Sequence, residues 1–251
     1  MKKYEFTGET REYGGRILHR IRAIRNFLDV HVGDTGGWIE EGENLSHDGN
    51  AWVYGNAQVY DNARVYNNAM VYGNARVYDN AMVSDNARVY GNARVSNSAR
   101  VFGNAVVFGN AVVFGDTRIY GNARVFGNAV VFGNAVIYGN ASVFRNASVF
   151  GNAVIFGNAV IYGDACIQNK KHIMWISTMG SRDDTITFMR SENNKIIVTT
   201  GCFIGTIDEF KYAVKKTHGD NEHAKAYMLA AELAELRIDL SEDVHGYSKG
   251  E

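Results

Sequence analysis

The chain has 251 residues, with 26 basic and 27 acidic side chains and a formal charge of −1. The charge divides as −2, +3 and −2 over residues 1–48, 49–168 and 169–251, which is not the footprint of a dedicated nucleic-acid binder. Two cysteines, Cys166 and Cys202, imply no disulfide framework, and a reducing cytoplasm is the expected location.

Residues 1–48 form an N-terminal strand and cap region. The opening MKKYEFTGETREYGG has two lysines but no apolar core behind them, so no signal peptide is expected. Nothing in the chain approaches eighteen consecutive apolar residues, so no membrane span is expected. The stretch from Arg16 to Phe27 interleaves apolar and basic residues and predicts a strand or hairpin arm. Next, Gly36-Gly37 permits a turn, and Trp38, Ile39 and Leu45 are expected to plug the N-terminal end of the repeat region. Counting back in sixes puts Leu45 in phase with the alanines of the repeat and His47 with its valines.

Residues 49–168 are twenty uninterrupted six-residue units of the form Gly-Asn-Ala-x-Val-aromatic. A branched apolar residue recurs from Val53 to Ile167, with Ala two residues earlier except at Thr117. Residues two apart in an extended segment share a face, so each unit offers one small and one branched side chain inward. The Gly-Asn pair supplies a bend that tolerates left-handed backbone angles. Such a fixed period dictates a solenoid, and stacked Asn residues should form hydrogen-bonded ladders along its corners. No proline occurs to remove an amide donor. The pattern resembles the left-handed parallel β-helix of hexapeptide-repeat proteins. That resemblance supplies the hand, a triangular eighteen-residue coil and six to seven coils over this stretch.

The residue after each Val faces outward and is aromatic in seventeen of the twenty units, which sort into three sides. On one side Val112, Phe114, Val130, Phe132 and Phe150 make an apolar patch, expected to be the interface of a homotrimer with parallel axes. Stacked aromatics that merely stabilise the strands are the alternative. Arginines mark the earlier coils. Arg76 and Arg94 lie beside Tyr60 and Tyr78, and Arg100 and Arg118 beside Phe102 and Tyr120. Guanidinium groups among aromatic faces suit a planar anionic ligand such as a nucleotide.

Within this region GDTGGWIE, NLS and GNAWVYGNA resemble hexapeptide proteins of phages, prophages and enteric bacteria, often labelled transferases or polymer-forming proteins. The resemblance implies a fold and a phage or prophage origin, and no chemistry.

Residues 169–251 predict a small α+β module. HIMWIST, DDTITFMR and KIIVTTGCF read as three antiparallel strands. Thr206 and Glu209 form a capping box for a helix ending near Lys216. A second helix, capped by Asp220, carries an apolar stripe through Ala226, Leu229, Leu233 and Leu236. After Leu240 the tail is polar and expected to be mobile. The run GCFIGTIDEF…THGDNEHAKAY resembles a module attached to other phage proteins, which carries no known activity with it.

Chemistry is sparse. Hexapeptide acyltransferases use a histidine base in a cleft between subunits, yet no histidine lies between His47 and His172 and no loop interrupts the units. His47 reads as a cap residue. A zinc site needs convergent histidines, which are missing, and no metal or cofactor is expected. His218, Asp220 and His223 cluster at a helix–helix turn and read as structural. Cys202 reads as a buried strand end, and Cys166 as an outward residue covered by the module. The first expectation is a non-catalytic, homo-oligomeric scaffold presenting its C-terminal modules to a partner protein. The second is a phage anti-defence protein that sequesters a nucleotide signal. An acyltransferase is third.

Overall fold

A computed structural model describes residues 1–241. The chain opens with an antiparallel hairpin, β1 (Tyr4–Tyr13) and β2 (Arg16–Ala23), followed by β3 (Thr35–Ile39). Twenty two-residue strands then run from β4 (Trp52–Val53) to β23 (Cys166–Ile167). They stack in parallel into three sheets, giving a β-solenoid of about seven turns. The hairpin and β3 extend one of these sheets.

Inward alternation works as the sequence demands. Every Ala and every inward Val or Ile of the repeat, from Val53 to Ile167, is fully buried, and full burial of a Val side chain stabilises by roughly 1.5–3 kcal/mol. Thr117, the one departure from Ala, is also fully buried, and its hydroxyl donates to the Phe114 carbonyl oxygen at 2.7 Å. Asn ladders run along the corners. Asn74, Asn92, Asn110, Asn128, Asn146 and Asp164 link side chain to side chain at 3.0–3.3 Å. A second ladder runs from Asn50 to Asn158. At the third corner Asn62 bonds Asn80 and Asn134 bonds Asn152, while Ser98 and Asp116 lie between the two pairs.

The first coil departs from the period. Ile39 pairs with Val59 and Leu45 with Val65, twenty residues on, whereas Trp52 and Met70 are eighteen apart. Two extra residues therefore sit between Leu45 and Val53, at a corner where the Asn50 and Ala51 amides both donate to the Asn67 carbonyl. Leu45 thus fills the valine column instead of the alanine column, and His47 moves out to the cap. There it accepts from the Lys3 amide at 3.3 Å and lies against the Tyr4 ring.

Trp38 is not a plug: it sits on the outer face with Leu18 and Tyr60. Ile39, Ile21, Tyr4, Phe27 and Trp52 close the core, together with the buried Lys3. Gly36 and Gly37 serve close packing, not a turn. A Cβ on Gly36 would meet Ile21 at 2.6 Å, and one on Gly37 would meet Val53 at 2.6 Å.

The C-terminal sheet has four strands, not three: β24 (Ile173–Met179), β25 (Asp184–Arg190), β26 (Ile196–Thr200) and β27 (Phe203–Thr206). Alternation splits its faces. Ile186 and Phe188 join the helices, while Met189 and Ile173 join the solenoid core. The sheet is also bonded to the solenoid, with Thr199 Oγ1 donating to the Val160 oxygen and the Val160 amide to Thr187 Oγ1.

Helix α1 (Ile207–His218) starts with the expected Thr206–Glu209 capping box, and α2 (Glu222–Arg237) is capped by Asn221, not Asp220. The face of α2 is also reversed. Ala224, Ala230, Ala231 and Ala234 are buried, while Leu229, Leu233 and Leu236 are 66%, 45% and 84% exposed. Close approach to the sheet and α1 selects the small residues. No helix among the described residues is long and apolar enough to cross a membrane.

Candidate functional site

The outward residues of the solenoid form columns whose rungs repeat once per coil. In the column from Tyr72 to Phe144 the rings stack nearly parallel with centroids 4.6–4.9 Å apart. Tyr120 lies between Phe102 at 4.9 Å and Tyr138 at 5.0 Å, so both faces of its ring are covered. A planar ligand therefore cannot stack on Tyr120. Arg100 and Arg118 are register neighbours on the same side, both exposed, with no ion pair among the described residues.

On the hairpin-bearing side the N-terminal strands alter what the repeat alone predicts. Tyr13 lies 5.8 Å from Tyr60, and the Arg16 guanidinium sits 5.3 Å from the Tyr60 ring centre. Tyr60 is consequently buried, and burial raises its phenol pKa well above the ordinary value. The other face of Tyr60 meets Tyr78 at 5.2 Å. Arg76 is turned onto the Tyr13 ring at 4.8 Å. Tyr60 is thus closed to a stacking ligand, and Arg76 rests one face of its guanidinium on the hairpin while its N–H groups make no ion pair among the described residues. Beyond Tyr78 the aromatic column is broken by Ser96, which is itself buried and leaves no open slot.

The hairpin also brings arginines that the repeat pattern gave no reason to include. Reading across the sheet, Arg20, Trp38, Gln58, Arg76 and Arg94 are successive register partners. Arg11 and Arg20 lie 4.5 and 5.0 Å from the Trp38 ring centre. Arg16 is neutralised by Asp61, with a 2.6 Å bond from Nε, and by Glu40 at 3.8 Å. Arg11, Arg20, Arg76 and Arg94 have no ion pair among the described residues. Burial lowers the Arg11 pKa, and the nearby Arg20 and Arg76 lower it further.

Lower on the same side lies the expected self-interface. Val112 and Val130 are register partners, and Phe114 and Phe132 stack at 5.0 Å with planes 2° apart. Phe132 in turn stacks on Phe150 at 4.9 Å. Phe150 is only 3% exposed and clusters with Cys166, so it adds little to an accessible patch.

In the C-terminal module Cys202 is exposed, not buried. It lines a cleft of about 460 Å³ with Arg182, Asp184, His218 and Tyr227. His218 and His223 are 6.0 Å apart, ring centre to ring centre, and no group of three or more metal-ligating side chains converges among the described residues. Cys166 is covered, as its position on the last coil requires, and burial raises its thiol pKa. His172 is buried where solenoid meets module, with Nδ1 accepting from the Gln168 amide at 3.2 Å.

A family profile described as the YdcK β-solenoid repeat matches residues 57–73, 63–78, 75–89, 87–101, 99–115 and 118–133. The "Uncharacterized acetyltransferase YdcK" of Escherichia coli (strain K12) is 36% identical over 62 residues, covering 22% of this chain and 19% of that protein. The chain thus matches about a fifth of the length of this relative, and the match lends it a repeat type, not an activity. It carries β-solenoid repeats of the YdcK type and is distantly related to that protein.

Proposed function

We propose that the protein is a non-catalytic scaffold, a rigid solenoid that self-associates and holds its C-terminal module in a fixed pose for a partner protein. One observation carries this reading. The module is not tethered by a linker: Ile173 and Met189 belong to the same core as the valines of the repeat. A partner bound to the module is therefore held at a set distance from the hairpin end. The flat strip of Val112, Phe114 and Val130 supplies a self-interface, with a homotrimer as the expected assembly. Native mass spectrometry tests this. A trimer that Val112→Glu with Val130→Glu reduces to monomer supports the reading, and a monomeric wild type overturns it. Truncation after Gln168 is not a clean test of the module, because it removes Ile173 and Met189 from the end of the core.

A second reading, sequestration of an anionic molecule such as a nucleotide signal, is favoured by the unpaired guanidiniums of Arg94, Arg100 and Arg118 among the described residues. With Tyr120 covered on both faces, charge and not ring stacking would hold the ligand at Arg100 and Arg118. Loss of binding in Arg94→Glu, or in Arg100→Glu with Arg118→Glu, would assign it to one side of the solenoid or the other, and retention in both would overturn this reading. The name of the relative raises acetyl transfer. That chemistry needs a base within hydrogen-bond reach of the acceptor, and no histidine lies in residues 49–168. Acetyl-coenzyme A turnover by the purified protein would reverse this preference.

A further inference from the structure

Six buried side-chain nitrogen or oxygen atoms lack a hydrogen-bond partner among the described residues, and five of them lie on one face under the hairpin. They are Nε and Nη2 of Arg11, Nε of Arg20, Nε1 of Trp38 and Oε1 of Gln58. Four of the five are N–H donors. Buried donors without acceptors are costly, at about 1–3 kcal/mol each, so their concentration in one place calls for a reason.

The same face concentrates like charge. Arg11 is electrostatically coupled to Arg20 and to Arg76, and Arg94 is the register partner of Arg76 at the exposed edge. The acids nearby do not answer this charge. Asp61 and Glu40 are engaged by Arg16, and Glu9 is felt by Arg11 without forming an ion pair. Unanswered guanidiniums held together by a fold constitute an anion site in waiting.

The form of the anion is set by what is already filled. Trp38 and Tyr60 are only 5% and 6% exposed, and the chain's own guanidiniums lie against their rings. Ring stacking of a base is thereby excluded, and only the N–H forks remain to be satisfied. A carboxylate would answer one positive charge, whereas a phosphate group carries close to two charges and three acceptor oxygens.

We propose that Arg11, Arg20 and Arg76, with Arg94 at the open edge, bind the phosphate group of a small phosphorylated molecule. This deepens the anion-binding reading and rests on it, while the scaffold reading stands independently. Gln58, whose amide oxygen lacks a donor, would turn its NH2 group toward the same anion.

Isothermal titration of the full chain with inorganic pyrophosphate at low ionic strength tests the site. Arg20→Gln and Arg94→Gln should each weaken binding at least tenfold. Arg124→Gln, the same charge loss on another side of the solenoid, should leave it within twofold. Arg11→Gln should also raise the melting temperature without ligand, by relieving repulsion, and remove the stabilisation that pyrophosphate gives the wild type. Binding that survives Arg20→Gln but is lost in Arg100→Glu with Arg118→Glu would overturn this site while leaving anion binding intact. Equal losses in all variants, or no binding by the wild type, would overturn the proposal.

Discussion

Lys3 Nζ donates a 2.6 Å hydrogen bond to the carbonyl oxygen of Ala51, placing a fully buried ammonium across the N-terminal end of the solenoid. Burial, reinforced by Arg25, lowers its pKa from 10.5 to about 8. Between those two values the unfolded chain holds a proton that the folded chain has lost, so stability rises with pH through the window from about 8 to 10.5. The full gain is roughly 3 kcal/mol. Tyr4, Tyr54 and Tyr60 act in the opposite sense, since burial raises their pKa values and the folded chain keeps protons that the unfolded chain loses above about pH 10. Thermal melts should therefore show stability climbing from pH 8 and turning down above pH 10. Lys3→Met should flatten the climb and spare the downturn.

Gly115 has φ +76°, and a Cβ there would lie 2.8 Å from both N and O of Gly133. Gly115→Ala should destabilise by about 1–3 kcal/mol in chemical denaturation. Gly115→Asp should cost less. Two coils earlier in the same column, Asp79 adopts φ 57° and accepts from the Asn97 amide at 3.0 Å, a bond that Asp at 115 could repeat with Gly133. An Asp variant as damaged as the Ala variant would show that this bond contributes nothing.

Asn110 both accepts from Asn92 and donates to Asn128. Asn110→Ala removes two ladder bonds and should cost about 1–2 kcal/mol. Asn110→Asp keeps the first bond and sets a carboxylate against the Asn128 oxygen, so its deficit should shrink at acid pH where that carboxyl is protonated. Asp164 tolerates the same chemistry because it is the last rung and only accepts from Asn146. A pH-independent deficit in Asn110→Asp would count against the ladder as the cause.

The outward leucines of α2 invert the usual expectation for a helix. Leu229→Glu and Leu233→Glu should leave the melting temperature within a degree or two, since both side chains are exposed. Ala231→Leu should cost about 1–3 kcal/mol by overpacking a fully buried position. Circular dichroism melts of the variants decide it.

The repeat is legible because each of its positions has one job. Val107 must face inward and Asn110 must bond its neighbours, so composition and position coincide. Legibility fails where two segments far apart in sequence meet. Nothing in Tyr60 or Arg76 announces that Tyr13 will cover them, because that contact depends on how the hairpin curls onto the sheet. The interleaved arginines of residues 16–27 are the available signal, and they say only that the hairpin is basic, not which rings it will meet. Leu229 and Ala231 show a different limit. Helical spacing identifies a stripe, but the distance to the neighbouring sheet decides whether leucine or alanine faces it. Counting in sixes misplaces Leu45 and His47, because it passes through a corner that holds two extra residues.

The corner ladders and the shared core make the solenoid a counting device. Inserting eighteen residues would add one coil and lengthen the separation between the hairpin and the module by about 4.8 Å, with both ends unchanged. Inserting six would swing the module to the next side, about a third of a revolution, and hand its helices a different set of neighbours. Gene duplication in steps of one unit thus changes bearing and reach together, whereas steps of three units change reach alone.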